Sequence, residues 1–310
     1  MADKIILTCA LTGSIHTPSM SPHLPSGPDM IAKQAVAAAE AGATILHLHA
    51  RDPKDGRPSA KVEDFLAFLP RIRQRTDAII NISTGGSSQM TLAERLAPSL
   101  AAKPEMCSLN MGSMNFGIFP LAEQPRAWKH DWEQPFLAAT KDVVFKNTFA
   151  DIESILTDLG EAHDTRFEFE CYDPGHIQTL AHFLKKGLVK APLFVQFVLG
   201  VLGGIDASPE SLLFMKQTAD RLLGDSYRFS VLAAGRHQMK LGTMGAILGG
   251  HVRVGLEDSL SDGASRALAP DNAHQVARIR RILTEMGYEI ASPSEARAML
   301  NLKGGDRVAF

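Results

Sequence analysis

Eight short apolar runs recur along the chain, each separated from the next by a longer stretch, and no other feature restricts the fold so strongly. The runs are Ile5 to Leu11, Thr44 to Ala50, Ala78 to Ser83, Met106 to Met111, Arg166 to Cys171, Leu193 to Leu199, Arg228 to Ala233 and His251 to Gly255. Between them DMIAKQAVAAAEAG, KVEDFLAFLPRIRQR, TFADIESILTDLGEAH, SPESLLFMKQTADRLLG and DNAHQVARIRRILTEMG read as helices. Several of these open on Ser, Thr or Asp at the cap and close at Gly. Strand and helix alternating in this way over 310 residues predict one α/β domain, a (β/α)8 barrel over residues 1–310. A doubly wound open sheet fits less well, because the first turn, LTGSIHTPSMSPHLPSGPD, is long, proline-rich and not GxGxxG. The tail SPSEARAMLNLKGGDRVAF is expected to pack on the barrel or on a neighbouring subunit.

Charge and cysteine usage narrow the function. The net charge of −2, with no block of Lys or Arg, leaves no electrostatic footprint for nucleic acid. No stretch approaches the roughly 18 apolar residues of a membrane helix, and the N-terminal run is too short for a signal peptide. Cys9, Cys107 and Cys171 are far apart and show no CxxC spacing, which points to a reducing compartment and a cytoplasmic enzyme.

Barrel enzymes gather their chemistry at the carboxyl ends of the strands. Strand two ends in HLHAR, so His47 and His49, two apart, share one face, while Leu46 and Leu48 face the other way. Two such imidazoles can hold one Zn²⁺, or they can be buried histidines bonded to backbone groups. A third ligand decides, and HVRVGLED at the end of strand eight offers Glu257, with Asp258 and Arg253 beside it. An arginine inside a strand is costly unless paired or facing a functional cavity. Two neutral histidines and one carboxylate leave a zinc site at net positive charge with an open position, and Arg253 adds to it, favouring an anionic ligand. Ser83 to Gly86, STGG, reads either as an ordinary βα turn or as a nest of N–H groups for a carboxylate. Ser108 and Asn110 can face inward together on strand four. Glu168 and Glu170 share a face on strand five, as partners for a histidine or as a structural pair.

Taken together, ALTGS, HLHARDP, STGG, PEMCSLNMGSMNFG, GHVRVGLEDSL and DNAHQVARI resemble the β-keto acid cleavage enzymes, and the resemblance covers nearly the whole chain. It implies a zinc-dependent (β/α)8 acyl-exchange enzyme, usually a homotetramer. Such an enzyme converts a β-keto acid and acetyl-CoA into acetoacetate and a new acyl-CoA. By position it makes His47, His49 and Glu257 the zinc ligands and Asp258 the general base, in a dyad with Arg253. Ser83 with Gly85 and Gly86 becomes the carboxylate-binding turn, and Ser108 a hydroxyl near the substrate. Co²⁺, Ni²⁺ or Mn²⁺ fits the same donors.

One departure bears on substrate. The family member acting on 3-keto-5-aminohexanoate reads the amino group with an acidic residue in the first loop. Here Ile15 stands at that position, between Ser14 and His16. A neutral or apolar β-keto acid is therefore expected, or a polar one read by His16. For CoA, the FVLGVLGG loop and the neighbourhoods of Arg228 and Arg236 are candidates. The runner-up is a zinc hydrolase of the amidohydrolase type, although those place HxH on the first strand. A non-catalytic binding barrel is harder to reconcile with so many polar strand ends.

Overall fold

The computed structural model describes residues 4–87, 89–263, 265 and 267–310. Eight parallel strands close into a barrel: β1 (Leu7–Ala10), β2 (Ile45–Leu48), β3 (Ile79–Ser83), β4 (Met106–Asn110), β5 (Arg166–Cys171), β6 (Leu193–Leu199), β7 (Tyr227–Ala233) and β8 (His251–Val254). Each falls on one of the eight expected runs. β8 pairs back onto β1, with Thr8 opposite Arg253, and that pairing closes the ring.

Helices cover the outside. α1 (Pro28–Ala41) buries Ala32, Ala35 and Ala38, small side chains that let it lie close to the sheet. The stretch read as one helix over 61–75 is two, α2 (Val62–Leu66) and α3 (Leu69–Arg73). Pro70 lacks the N–H that would bond back across the junction, so a continuous helix is broken there. Further round lie α4 (Leu92–Ala102), α5 (Glu133–Ala139) and α6 (Phe149–Ile155). α6 opens on a Thr148–Asp151 capping box and runs on as a π-helical turn over Leu156–Glu161. α7 (Pro174–Lys185), α8 (Pro209–Leu223), α9 (Gln238–Ile247) and α10 (Asn272–Glu285) complete the ring.

Alternation along the strands creates two separate environments. Outward residues such as Leu46, Leu48, Ile80, Ile82 and Leu109 join the large layer beneath the helices. Inward residues at the strand starts (Ile6, Ile45, Ile79, Met106 and Phe194) form a second cluster with Ala291, Ala296 and Leu300. The last two belong to α11 (Pro293–Leu300), so the C-terminal tail packs on its own barrel and closes the floor. Arg297 fastens it there, donating to both Glu105 carboxylate oxygens at 2.8 Å and to Asp77 at 2.9 Å. At the opposite end, the long connection after β4 is pinched by a short antiparallel ladder, Met114–Asn115 against Val144–Phe145, and carries α5.

Candidate metal centre and active site

At the carboxyl ends of the strands lies a cavity of about 500 Å³, lined by His47, His49, Ser83, Arg253, Glu257 and Asp258 among others. β2 stops at Leu48, so His49 stands at the break before a short ribbon in which Ala50–Arg51 pairs with Pro58–Ser59. β8 stops at Val254, and Glu257 and Asp258 come from the turn that follows. The first loop supports that turn. Gly13, at φ +59, lies so close to Glu257 that an added Cβ would stand 2.4 Å from its Cγ, so only glycine fits.

The three expected ligands converge. His47 Nε2 lies 3.3 Å and His49 Nε2 3.6 Å from Glu257 Oε1, and the ligand atoms of the three residues all fall within 4.8 Å of one another. All three residues are buried. Both nitrogens of His47 and Oε2 of Glu257 are buried without a hydrogen-bond partner. Those orphaned atoms, with His49 Nε2 beside them, make a set of two imidazoles and a carboxylate that fits Zn²⁺ or a similar divalent ion.

Arg253 is the hub of the remaining charges. Its Nε and Nη2 donate to the two oxygens of Asp258, each at 3.0 Å, Nη2 also reaches Glu257 Oε1 at 2.9 Å, and Nη1 donates to Glu170 Oε1 at 3.0 Å. Glu168 lies 3.5 Å from the same Nη1. The charge expected from sequence took in Glu257 and Arg253; the fold also brings Glu168, Glu170 and Asp258 against that guanidinium. Burial pushes Asp258 up to about 7 against the pull of Arg253, and it raises Glu170 as well. Burial also works on Glu257 and Glu168, but His47 and Arg253 beside them hold both below the usual carboxylate range. His47 shows the same demand for positive charge. Burial and Arg253 oppose its protonation, yet Glu257 and Glu168 bring it up to about 9.

The substrate-binding candidates divide. Ser83, Gly85, Gly86, Ser14 and Ile15 line the cavity. Ser108 is fully buried behind Ser83, its Oγ 3.5 Å from Ser83 Oγ, and it is not part of the lining. The STGG turn is largely satisfied from within: Gly85 N donates to Ser83 Oγ at 3.1 Å, and Thr84 N to Ser108 O. The Ser83 hydroxyl, more than an open nest, is what this turn presents. Arg51, read from sequence as part of the strand-two end, does not line the cavity. It is 1% exposed and staples the first loop, donating to Thr12 Oγ1, Thr12 O, His16 O and Gly56 O at 2.7–2.9 Å. Of the CoA candidates, Arg236 and Gly200–Leu202 line the cavity, whereas Arg228 is the second residue of β7, toward the floor.

Sequence reasoning missed the apolar wall. Phe116, Ile118, Leu121, Phe136 and Phe145 from the long connection, with Val198 and Leu232, line the cavity as well. That connection is held by Glu133, fully buried, which accepts from Ser19 N at 2.9 Å, Ser19 Oγ at 2.7 Å and His130 N at 3.0 Å. Proline, tryptophan and phenylalanine in the connection were the available signal. His16 also lines the cavity: its Nδ1 lies 2.9 Å from Leu256 O, so that nitrogen carries the proton. Burial lowers the ring to about 4, leaving it neutral with Nε2 as an acceptor.

Comparison with known proteins identifies the family and the fold. A sequence profile of the β-keto acid cleavage enzymes matches residues 4–302. A 3,5-dioxohexanoate:acetyl-CoA acetone transferase of Paraburkholderia graminis is 54% identical over 99% of this chain and 98% of its own. A 3-keto-5-aminohexanoate cleavage enzyme of Fusobacterium nucleatum is 34% identical over 98% of this chain and 100% of its own. The apo structure of ObcA shares the fold, with a TM-score of 0.66 at 21% identity over 91% of this chain and 66% of that one. This chain belongs to the β-keto acid cleavage enzyme family.

Proposed function

We propose that this protein uses a divalent cation, Zn²⁺ first among them, held by His47, His49 and Glu257, to exchange acyl groups between acetyl-CoA and a neutral β-keto acid. The observation that carries the reading is the buried His47–His49–Glu257 cluster set directly against the Arg253–Asp258 pair. The reaction is R–CO–CH₂–COO⁻ plus acetyl-CoA giving R–CO–S-CoA plus acetoacetate. The bond between the keto carbon and the methylene of the acid breaks and that methylene forms a new bond to the acetyl carbonyl carbon, while the acetyl C–S bond breaks and the CoA sulfur bonds to the keto carbon.

When bound, the cation supplies Lewis-acid polarisation of the keto group. The residues of the chain supply the rest. Asp258, pushed to about 7 by burial, is poised to take and return a proton near neutral pH. Arg253 grips both of its oxygens and fixes its orientation. Ser83 is placed to donate to the substrate carboxylate, and the apolar wall excludes water from the departing carbanion equivalent.

Substrate choice follows from the first loop. The carboxylates lining the cavity among the described residues, Glu170, Glu257 and Asp258, are all engaged by Arg253, and Ile15 cannot meet an ammonium. His16 offers a neutral acceptor instead. A 3,5-dioxo acid, the substrate class in the name of the 54% identical relative, suits this wall because its enol form presents an O–H. Free, buried cysteines at 9, 107 and 171 support a cytoplasmic setting, and a homotetramer is the expected assembly.

The test is mass-spectrometric detection of acyl-CoA products from 3,5-dioxohexanoate, 3-oxohexanoate and 3-keto-5-aminohexanoate with acetyl-CoA, with and without a chelator. Acetoacetyl-CoA from the dioxo acid, abolished by the chelator, is expected. Preference for the amino acid, or hydrolysis without CoA, overturns the reading.

A further inference from the structure

Behind His47 stands a carboxylate that the proposed reaction does not use. The ring is bracketed: Nε2 lies 3.3 Å from Glu257 Oε1, and Nδ1 lies 3.5 Å from Glu168 Oε2. Glu168 is 0% exposed. Its Oε2 also accepts from Asn81 Nδ2 at 2.6 Å, and Asn81 is the register partner of His47 across the β2–β3 pair. Neither Glu168 nor Asn81 lines the cavity, so neither meets the substrate.

Two roles compete for this carboxylate. With Glu170 and His47 it forms a second cluster whose possible ligand atoms lie within 4.8 Å, which would suit a second metal ion. That space already holds a fixed cation. Arg253 Nη1 lies 3.0 Å from Glu170 and 3.5 Å from Glu168, and a metal ion placed there would face the guanidinium in a low-dielectric interior. The alternative satisfies an otherwise orphaned atom. His47 Nδ1 is buried and has no hydrogen-bond partner, and the carboxylate oxygen facing it at 3.5 Å is Glu168 Oε2. A buried N–H left unpaired is costly, and metal-binding histidines give their second nitrogen to such an acceptor.

We propose that Glu168, itself held by Asn81, is the positioning residue of the centre. It accepts a hydrogen bond from His47 Nδ1–H, which keeps the proton on Nδ1 and so presents the Nε2 lone pair to the site shared with His49 and Glu257. This inference rests on the metal reading given above. The strand register makes it specific: Asn81 on β3 stands opposite His47 on β2, and Glu168 on β5, whose own register partner on β4 is the short Ser108, meets both.

The experiment is zinc titration against a chromogenic chelator, with stoichiometry, for wild type, Glu168→Gln and Asn81→Ala, alongside thermal unfolding of the metal-free proteins. Wild type is expected to bind one ion per chain. E168Q should also bind one, with affinity lower by roughly 10–100-fold, and N81A should shift the same way by less. Metal-free melting curves that change far less than the affinity separate positioning from a purely structural role. Wild-type affinity in E168Q overturns the inference, as does a wild type that binds two ions of which E168Q loses one. Should E168Q not fold, N81A with unchanged affinity overturns it. A wild type that binds no zinc removes the metal reading itself.

Discussion

The floor and the mouth of the barrel are built by the same strands and share almost nothing else. On β2 the inward positions run Ile45, His47 and His49; on β3, Ile79, Asn81 and Ser83; on β4, Met106, Ser108 and Asn110. One step of two residues carries the interior from the apolar cluster sealed by α11 to side chains that are polar or charged. At the floor the inward atoms are paired by packing. At the mouth His47, Glu168 and Glu257 carry buried polar atoms with no partner. Stability and chemistry are thus separated along one axis, and a substitution at one end should leave the other's property largely intact.

Asp258→Asn gives the largest expected effect. Removing the general base should lower kcat by roughly 10²–10⁴-fold, while thermal unfolding stays close to wild type because one carboxylate in a crowd of four is neutralised. A parallel loss of stability would show that mouth and floor are not separable. Phe194→Ala is the converse. Phe194 is 2% exposed in the floor cluster, and its truncation should cost about 3–5 kcal/mol in denaturant unfolding. The protein that remains folded should keep its kcat, and a matching fall in kcat would break the comparison from the other side.

A smaller effect sharpens the mouth alone. His16→Phe removes an acceptor without emptying the wall. It should lower kcat/KM for 3,5-dioxohexanoate by about 10-fold, the worth of one hydrogen bond, with little change for 3-oxohexanoate. Because burial holds His16 at about 4, below its usual value, the ring stays neutral across roughly pH 6–8 and the wild-type preference should be flat there. Equal losses on both substrates would mean that His16 acts through Leu256 on the neighbouring Glu257 rather than on the substrate.

What the sequence discloses follows the same axis. All eight strands were legible because short apolar runs between helical stretches carry their own period, and the HxH and RVGLED ends were legible because strand ends are where barrel chemistry collects. Pairings between distant strands were not. Glu168 and Glu170 could be placed on one face of β5, but their meeting with Arg253 and His47 depends on the closed register, which local pattern does not encode. Without them two of the carboxylates packed around Arg253 were left out of the charge of the site. Arg51 was misplaced for a related reason: the chain turns out of β2 at His49, so alternation no longer says where Arg51 points. The apolar wall comes from a connection whose path is fixed by Glu133 on Ser19, a contact spanning 114 residues.

The smallest effect concerns how the floor is held shut. α11 begins with a capping box in which Ser292 and Glu295 exchange backbone bonds, and Glu295 also meets Lys4 at 2.9 Å. The Lys4 and Ser292 bonds hold Glu295 down at about 2, well under its usual value, although its side chain is partly open to solvent. A carboxylate depressed in the folded state adds stability above its unfolded pKa, near 4.5, and that contribution is lost as pH falls through the folded value. Unfolding curves should therefore show a component declining between about pH 4.5 and 2 that is missing in Glu295→Gln, with activity at neutral pH unchanged. Salt should blunt it, since the ion pair is open to solvent. A glutamine variant with the same acid profile as wild type would mean that Arg297, with its bonds to Glu105 and Asp77, is sufficient to hold the floor closed.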